Sequence, residues 1–414
     1  MTSADTLTAP LAPPFPDDGP PLTLAVVTGS LTRRAGGLFH SVRGTARALA
    51  SAGHRITVLG VADPSPAEMA EDLAAWAPLM PAAAPRRGPA GLAYAPALAR
   101  HLDARFDVVH QHGLWQPHSR AVAQWRKRTG GGVVISPRGM LDPPALARSP
   151  LKKRLARLLY EDDNLAGADC LHALNEAEAE AIRRVGLTAP IAVIANGLAP
   201  ETPAPLPPRP AGFPPERRIL LFLGRLHPKK GLLPLLAAWA RLGADVAATW
   251  HLVIAGWDEA GHATELREAI TAHGLAGRAH LAGPLHGGEK RAALAHADAF
   301  VLPSTSEGLP MAVLEAWAAA CPVLMTAACH MPHAFAVGAA VEIAPDPARM
   351  AAVLTQTLAL PPTRLAAIGE RGRALLRARH DADAVARAHV AVYRWIVAGG
   401  STRGVAPPPM VRVG

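Results

Sequence analysis

Three cysteines in 414 residues, Cys170, Cys321 and Cys329, are too few and too scattered for a disulfide framework or a cysteine-rich zinc site. Cys170 and Cys321 lie in or beside apolar runs, where a thiol reads as a small core residue; Cys329 has no such setting. No uncharged stretch reaches the ~20 apolar residues needed to cross a bilayer. The first 21 residues are Pro-rich and lack an apolar run after a basic start, so no signal peptide is expected and the chain reads as cytoplasmic. Charged residues are sparse at 18%, and the net charge of +9 is not gathered anywhere. Residues 1–200 hold 21 basic and 17 acidic residues and residues 201–414 hold 21 and 16, with no basic tail or recognition motif. Nucleic acid is therefore not an expected partner, whereas an anionic substrate or an anionic membrane surface stays open.

What is present is apolar and periodic. Half the residues are hydrophobic, enough for more than one core at this length. Short β-like runs at 22–27, 55–61, 107–110, 133–136, 169–171 and 191–195 alternate with helical stretches. The pattern recurs at 219–223, 250–255, 279–282, 299–302, 322–325 and 340–343. Alternation of this kind predicts an α/β fold with parallel sheets covered by helices. The expected organisation is a disordered tail over 1–21, a first Rossmann-like domain over 22–198 and a Pro-dense linker over 199–216. A second such domain over 217–379 follows, then a helix over 380–398 returning to the first domain, anchored by Tyr393 and Trp395. A second disordered tail is expected over 401–414.

The chemistry is expected in loops at strand ends. Gly36 and Gly37 precede a helix with apolar spacing at Leu38, Val42, Ala46 and Leu49, a turn that lets an anion approach the backbone. His112 lies just past the 107–110 strand, and Arg138 follows the 133–136 strand. After the first strand of the second half comes Gly224-Arg225-Leu226-His227-Pro228-Lys229-Lys230-Gly231, where cations surround one strand end and suit a diphosphate. The sharpest signal is Glu307-Gly308-Leu309-Pro310-Met311-Ala312-Val313-Leu314-Glu315. Pro310 suits the first turn of a helix, which puts Glu307 in the loop before it and Glu315 about two turns in. Eight helical residues span ~12 Å, more than the roughly 5–9.5 Å between glycosidase carboxylates. The two acids are expected to touch opposite ends of an extended ligand. Singly, Glu307 also reads as a capping acid and Glu315 as an exposed helix charge.

Arg225 with Lys230-Gly231, and Glu307 separated by seven residues from Glu315, resemble the retaining family 4 glycosyltransferases of GT-B fold. The Gly36-Gly37 loop, the Val-His-Gln-His-Gly-Leu-Trp stretch and Ser136-Pro137-Arg138-Gly139-Met140-Leu141 resemble the bacterial branch that builds surface polysaccharides. The resemblance spans roughly residues 22–400. It implies two Rossmann-like domains facing across a cleft and a nucleotide-diphosphate sugar as donor substrate, with no other cofactor and no metal. Arg225 and Lys230 would then hold the diphosphate and neutralise the leaving group. Glu307 would face the donor sugar, Glu315 the ribose hydroxyls, and His112 the transferred sugar. Backbone N–H groups near Gly308, Leu309 and Met311 would add to the phosphate cradle, while Gly36, Gly37 and Arg138 would line the same site. The implied acceptor is a glycan or lipid-linked glycan.

One stretch departs from the family pattern: Ala328-Cys329-His330-Met331-Pro332-His333 stands where relatives often have Asn-Leu-Pro-Glu, and metal ligation by His330 and His333 is a minor alternative. Segment 148–163 sets Leu151, Leu155, Leu158 and Leu159 at helical spacing among Lys152, Lys153, Arg154 and Arg157. It reads equally as a surface helix with its leucines in the core or as a basic amphipathic helix on an anionic bilayer. A nucleotide-sugar epimerase, a storage-polysaccharide synthase and a non-catalytic nucleotide-sugar-binding protein are the alternatives to the transferase.

Overall fold

Runs such as Thr23–Thr28 and Arg218–Leu223 are apolar on both faces, and a strand of that kind is stable only inside a sheet covered on both sides. The computed structural model describes residues 19–62, 66–87, 95–102, 105–199, 205–258 and 261–413. The chain divides into two compact units. The first comprises the described residues through Ala199 together with Asp381 onward, and the second comprises Pro200–His380.

In the first unit, β1 (Thr23–Thr28), β2 (Arg55–Val61), β3 (Ala82–Ala84), β4 (Val108–His112), β5 (Gly132–Ser136), β6 (Cys170–Ala173) and β7 (Ile191–Val193) run parallel, in the order 7-6-5-4-1-2-3. In the second, β8 (Arg218–Leu223), β9 (Trp250–Ala255), β10 (Ala279–Gly283), β11 (Ala299–Leu302), β12 (Val323–Met325) and β13 (Ala340–Glu342) are parallel in the order 10-9-8-11-12-13. Numbered within its own unit, each sheet contains the doubly wound order 3-2-1-4-5-6. The order reverses between β1 and β4 in one sheet and between β8 and β11 in the other. Ligands of open α/β sheets bind beyond the strand ends at that reversal.

The twelve expected strands are all present, with ends shifted by at most two residues, and among the described residues two more were not anticipated. β3 is three alanines without a β-branched residue, so nothing local marks it as a strand. β14 (Val411–Arg412) pairs antiparallel with β7 at the sheet edge, which overturns the expectation of a disordered tail over 401–414. Val193 N–H donates to the Met410 carbonyl (3.0 Å) and Trp395 Nε1 to the Val405 carbonyl (2.9 Å), fixing that segment from both sides. The described part of the 199–216 linker is likewise held. Arg209 donates to the carbonyls of Phe213, Pro214 and Arg217, and Phe213 is buried in the second unit. Of the 1–21 tail, 1–18 lie outside the described residues.

The helix Ala382–Val397 starts at Asp381, whose carboxylate accepts the Ala384 N–H at 2.9 Å. Val385, Val392, Tyr393 and Trp395 from this helix join Leu24, Val108, Val134 and Cys170 in one core cluster of the first unit. All three cysteines are buried free thiols, including Cys329, whose place the sequence left open. No described helix is long and apolar enough to cross a membrane.

Candidate functional site

The second unit gathers its candidate residues from the two loops that flank the β8/β11 reversal. Gly231 takes a left-handed conformation (φ 68°), and a Cβ there would fall 2.1 Å from the Pro303 carbonyl oxygen. Glycine thus lets the loop after β8 lie directly on the loop after β11. Thr305 N–H donates to the Lys229 carbonyl at 2.8 Å and sews the two loops together. That contact puts Lys230 Nζ in an ion pair with Glu307 Oε1, with only 15% and 13% of the side chains exposed. Ser304 Oγ donates to the same carboxylate oxygen at 2.6 Å. Burial works to raise the Glu307 carboxyl, but the Lys230 charge and hydrogen bond, Ser304 and the Lys229 charge outweigh it and hold it below the ordinary glutamate range.

Arg225 sits with its guanidinium carbon 5.9 Å from the ring centre of Trp257, which follows β9. The helix after the Glu307 loop runs Met311–Ala318, with Pro310 at its N-cap and not inside its first turn. Its first N–H groups lack acceptors within the helix, and its dipole places partial positive charge there. Leu309 and Met311 are buried at that helix start beside Gly308. Glu315 therefore lies one turn in, short of the two turns expected, and Lys290 Nζ donates to its Oε1 at 2.6 Å. The two carboxylates are held by different lysines, Glu307 by Lys230 and Glu315 by Lys290.

In the first unit, Gly36 (φ 60°, ψ −132°) is the N-cap of the helix Gly37–Ser51, in a backbone conformation glycine alone tolerates easily. A Cβ on Gly36 or Gly37 would meet no atom within 4 Å, so the helix start is open to approach. β4 extends two residues beyond its expected end, which makes His112 its last residue and buries it to 1% exposure; the expectation of a loop histidine is corrected accordingly. The following loop is clamped. Gly113 N–H donates to the Ser136 carbonyl, Gln111 Nε2 to Gly113 O and Ser119 Oγ, and Trp115 N–H to the buried Glu161 carboxylate at 2.6 Å. Arg138, half-buried at φ 58°, donates from Nη2 to His112 Nδ1 at 2.9 Å, from Nε to the same nitrogen at 3.3 Å, and from Nη1 to Asn196 Oδ1 at 2.9 Å. Burial first, then Arg138 and the neighbouring histidines, hold the His112 imidazole well below its usual range.

The sequence did not single out Lys290, Ser304, Glu178 or Asn196. Lys290 belongs to a helix that opens with Gly287-Gly288, and Ser304 follows β11 by two residues; those positions at strand and helix ends were the available signals. His330 is left-handed (φ 54°) and His333 is partly buried; among the described residues no group of three or more His, Cys, Asp or Glu could hold a metal ion.

Known proteins show the same two halves. Residues 36–197 match the family described as Glycosyl transferase 4-like domain, and residues 208–374 match Glycosyl transferases group 1. Over 248 residues the chain is 30% identical to the D-inositol 3-phosphate glycosyltransferase of Kineococcus radiotolerans, covering 55% of this chain and 56% of that protein. Over 256 residues it is 30% identical to the GDP-mannose:cellobiosyl-diphosphopolyprenol alpha-mannosyltransferase of Xanthomonas oryzae pv. oryzae, covering 61% and 65%. The chain thus spans between about half and two thirds of the length of these curated relatives. The crystal structure of Anabaena HepE in complex with UDP and glucose superposes with a TM-score of 0.71 at 17% identity, over 89% of this chain and 98% of that one. Sucrose-phosphate synthase of Thermosynechococcus elongatus gives 0.71 at 19% identity, over 91% and 100%. These likenesses establish the fold. With both halves matched in order along the chain, the protein belongs to the family 4 glycosyltransferases of GT-B fold.

Proposed function

We propose that this protein transfers a hexose-type sugar from a nucleotide-diphosphate sugar to a glycan or lipid-linked glycan, with retention of anomeric configuration and without a metal. The observation that carries the reading is the Lys230–Glu307 pair, set at the β8/β11 reversal beside the start of the Met311–Ala318 helix. Cleavage of the sugar–phosphate bond leaves an oxocarbenium-like sugar and adds negative charge to the diphosphate. Lys230, Arg225 and the helix N–H groups would take up that charge where it develops, the role a metal ion fills in other transferases. Glu307 would face the donor sugar and Glu315 the ribose. Retention fits a front-face route in which the departing phosphate helps deprotonate the acceptor. The Xanthomonas relative acts, by its name, on a diphosphopolyprenol-linked disaccharide, which supports an acceptor of that class in surface-polysaccharide synthesis.

Such an acceptor would place the protein on the cytoplasmic face of the membrane, and the 148–163 segment supports contact there. Leu151, Leu155, Leu158 and Leu159 are 77%, 55%, 83% and 66% exposed, so of the two readings the core one is set aside. The segment is anchored by the buried Ala156 and Glu161, followed by the buried Asn164 and Leu165, while Lys152 and Arg154 stay exposed beside the leucines. A basic face with protruding leucines suits the boundary of an anionic bilayer.

The test is a panel of nucleotide-diphosphate sugars, scored first by thermal shift and then by product analysis with glycan and polyprenol-linked acceptors. The reading expects one donor to raise the melting temperature and to yield an α- or β-linked product of unchanged anomeric configuration. Donor binding with isomerised sugar and no transfer would make it an epimerase; binding with neither transfer nor hydrolysis would make it a binding protein.

A further inference from the structure

Arginine has no acceptor, so both short contacts between Arg138 and His112 Nδ1 require that nitrogen to carry no hydrogen. An imidazole with a bare Nδ1 is neutral and bears its hydrogen on Nε2. We infer that Arg138 is a positioning residue that fixes His112 in this tautomer, so that His112 can donate a hydrogen bond from Nε2 but cannot serve as a general base. Neither nitrogen is then able to take a proton: one faces a guanidinium and the other is already protonated. Where the acceptor hydroxyl is deprotonated during transfer, the proton must go to another group. The inference depends on the proposed transfer only for the identity of the ligand.

The surroundings hold Arg138 in place. The Glu178 carboxylate, itself buried, accepts the Gly139 N–H at 2.6 Å and the Leu174 N–H at 2.8 Å, which locks the turn carrying Arg138. Asn196 Oδ1 occupies Nη1. Under the His112 ring lies that of His110, 4.1 Å away between centroids.

A single carbonyl sets the direction of the hydrogen bonds below. The Ile194 oxygen can only accept, so His172 donates to it from Nε2 at 2.8 Å. With His172 neutral, Ser136 Oγ donates to His172 Nδ1, and His110 Nε2 donates to Ser136, both at 2.7 Å. Tyr393 O–H then donates to His110 Nδ1 at 2.7 Å. The titratable groups acting on His112 are Arg138 from the loop after β5, His172 from β6, His389 from the Ala382–Val397 helix and His118 from Pro117–Thr129; those on His110 include His112 itself. Among these groups every charge or potential charge is positive, which opposes protonation of His112 as the tautomer does.

The test reads the tautomer by two-bond ¹H–¹⁵N correlation of histidine-labelled full-length protein, with His112→Asn to assign the signal. Wild type is expected to show an unprotonated Nδ1 and a protonated Nε2, unchanged from about pH 8 to about pH 5. Arg138→Met should give mixed tautomers and a titration moving up toward about pH 6.5. Arg138→Gln, whose amide can still donate, should keep the Nε2–H form and recover turnover at least about tenfold over Arg138→Met. The inference is overturned by a wild-type His112 with a bare Nε2, by one that titrates near its ordinary value, or by Arg138→Met leaving the tautomer unchanged. A cooperative thermal unfolding transition certifies that a variant is folded, and if Arg138→Met does not fold, wild type and Arg138→Gln decide the question. No substrate is needed for the spectra, so a failure to find any transfer would defeat the functional reading while leaving this one to be judged separately.

Discussion

Lys230 and Glu307 are 77 residues apart in sequence and meet in a largely buried ion pair, each supplied by one of the two loops at the reversal of the second sheet. The pair ties the loop after β8 to the loop that precedes the Met311–Ala318 helix.

In the proposed function, replacing Lys230 by alanine would remove one stabilising charge from the leaving diphosphate. Losing one such donor costs roughly 2.7–4 kcal/mol of barrier, so single-turnover transfer is expected to slow at least about a hundredfold. Turnover within a few-fold of wild type would remove Lys230 from the mechanism.

In the proposed function Glu315 meets the ribose and not the phosphates. Glu315→Gln should weaken a nucleoside diphosphate at least about tenfold, the loss of a charge-assisted hydrogen bond, and should leave inorganic pyrophosphate unaffected. Calorimetric titration of both ligands separates the cases; an equal loss for the two would show that the carboxylate acts on the phosphate region.

The histidine layer makes stability depend on pH with a definite sign. Burial first, aided by neighbouring positive groups, lowers His110, His112 and His172 well below 6.5 and His389 to about 3. Burial also lowers His118 to about 4 against backbone hydrogen bonds that raise it. Below about pH 6.5 the unfolded chain binds protons that the folded one refuses, so stability is complete above that pH and falls as pH drops toward 4 and 3. Each such histidine adds up to about 1.4 kcal/mol per pH unit in that window. Urea unfolding at several pH values checks this; a flat profile between about pH 6.5 and 5 would contradict the buried neutral layer.

Tyr393→Phe leaves His110 Nδ1 without its donor inside the core and should cost about 1–3 kcal/mol. The same unfolding assay at neutral pH measures it. No loss would mean that the hydroxyl contributes nothing to the helix that carries it.

Membrane contact is tested on vesicles with and without anionic lipid. Lys153 is a poor target, since its ammonium donates to the Ala145 and Arg148 carbonyls and lies over the Trp115 ring. Charge reversal at Lys152 and Arg154, or serine at Leu151 and Leu158, should each release the protein from anionic vesicles at least about tenfold. Unchanged binding in both variants would move the contact elsewhere.

Much of the fold was legible because parallel strands buried on both faces read as continuous apolar runs. Ile219–Leu223 and Trp250–Ala255 announce themselves in this way. β3 and β14 were not legible, since each is defined by its neighbour in the sheet and not by its own residues. The site divides similarly. Glycine next to cations at a strand end marks Arg225 and Lys230, and the spacing of two acids marks Glu307 and Glu315. The partners came only from tertiary structure: Lys290 for Glu315, Arg138 for His112, and the chain from Tyr393 to Ile194. Depth also escaped the sequence, because His112 reads as a loop residue until β4 is seen to run two residues further.

The most direct test of the whole account is a crystal structure of the protein with a bound nucleoside diphosphate. The account predicts the pyrophosphate at the start of the Met311–Ala318 helix, within hydrogen-bond distance of the Arg225 guanidinium and Lys230 Nζ, with the ribose on Glu315. A pyrophosphate bound away from both cations and from that helix start would contradict it.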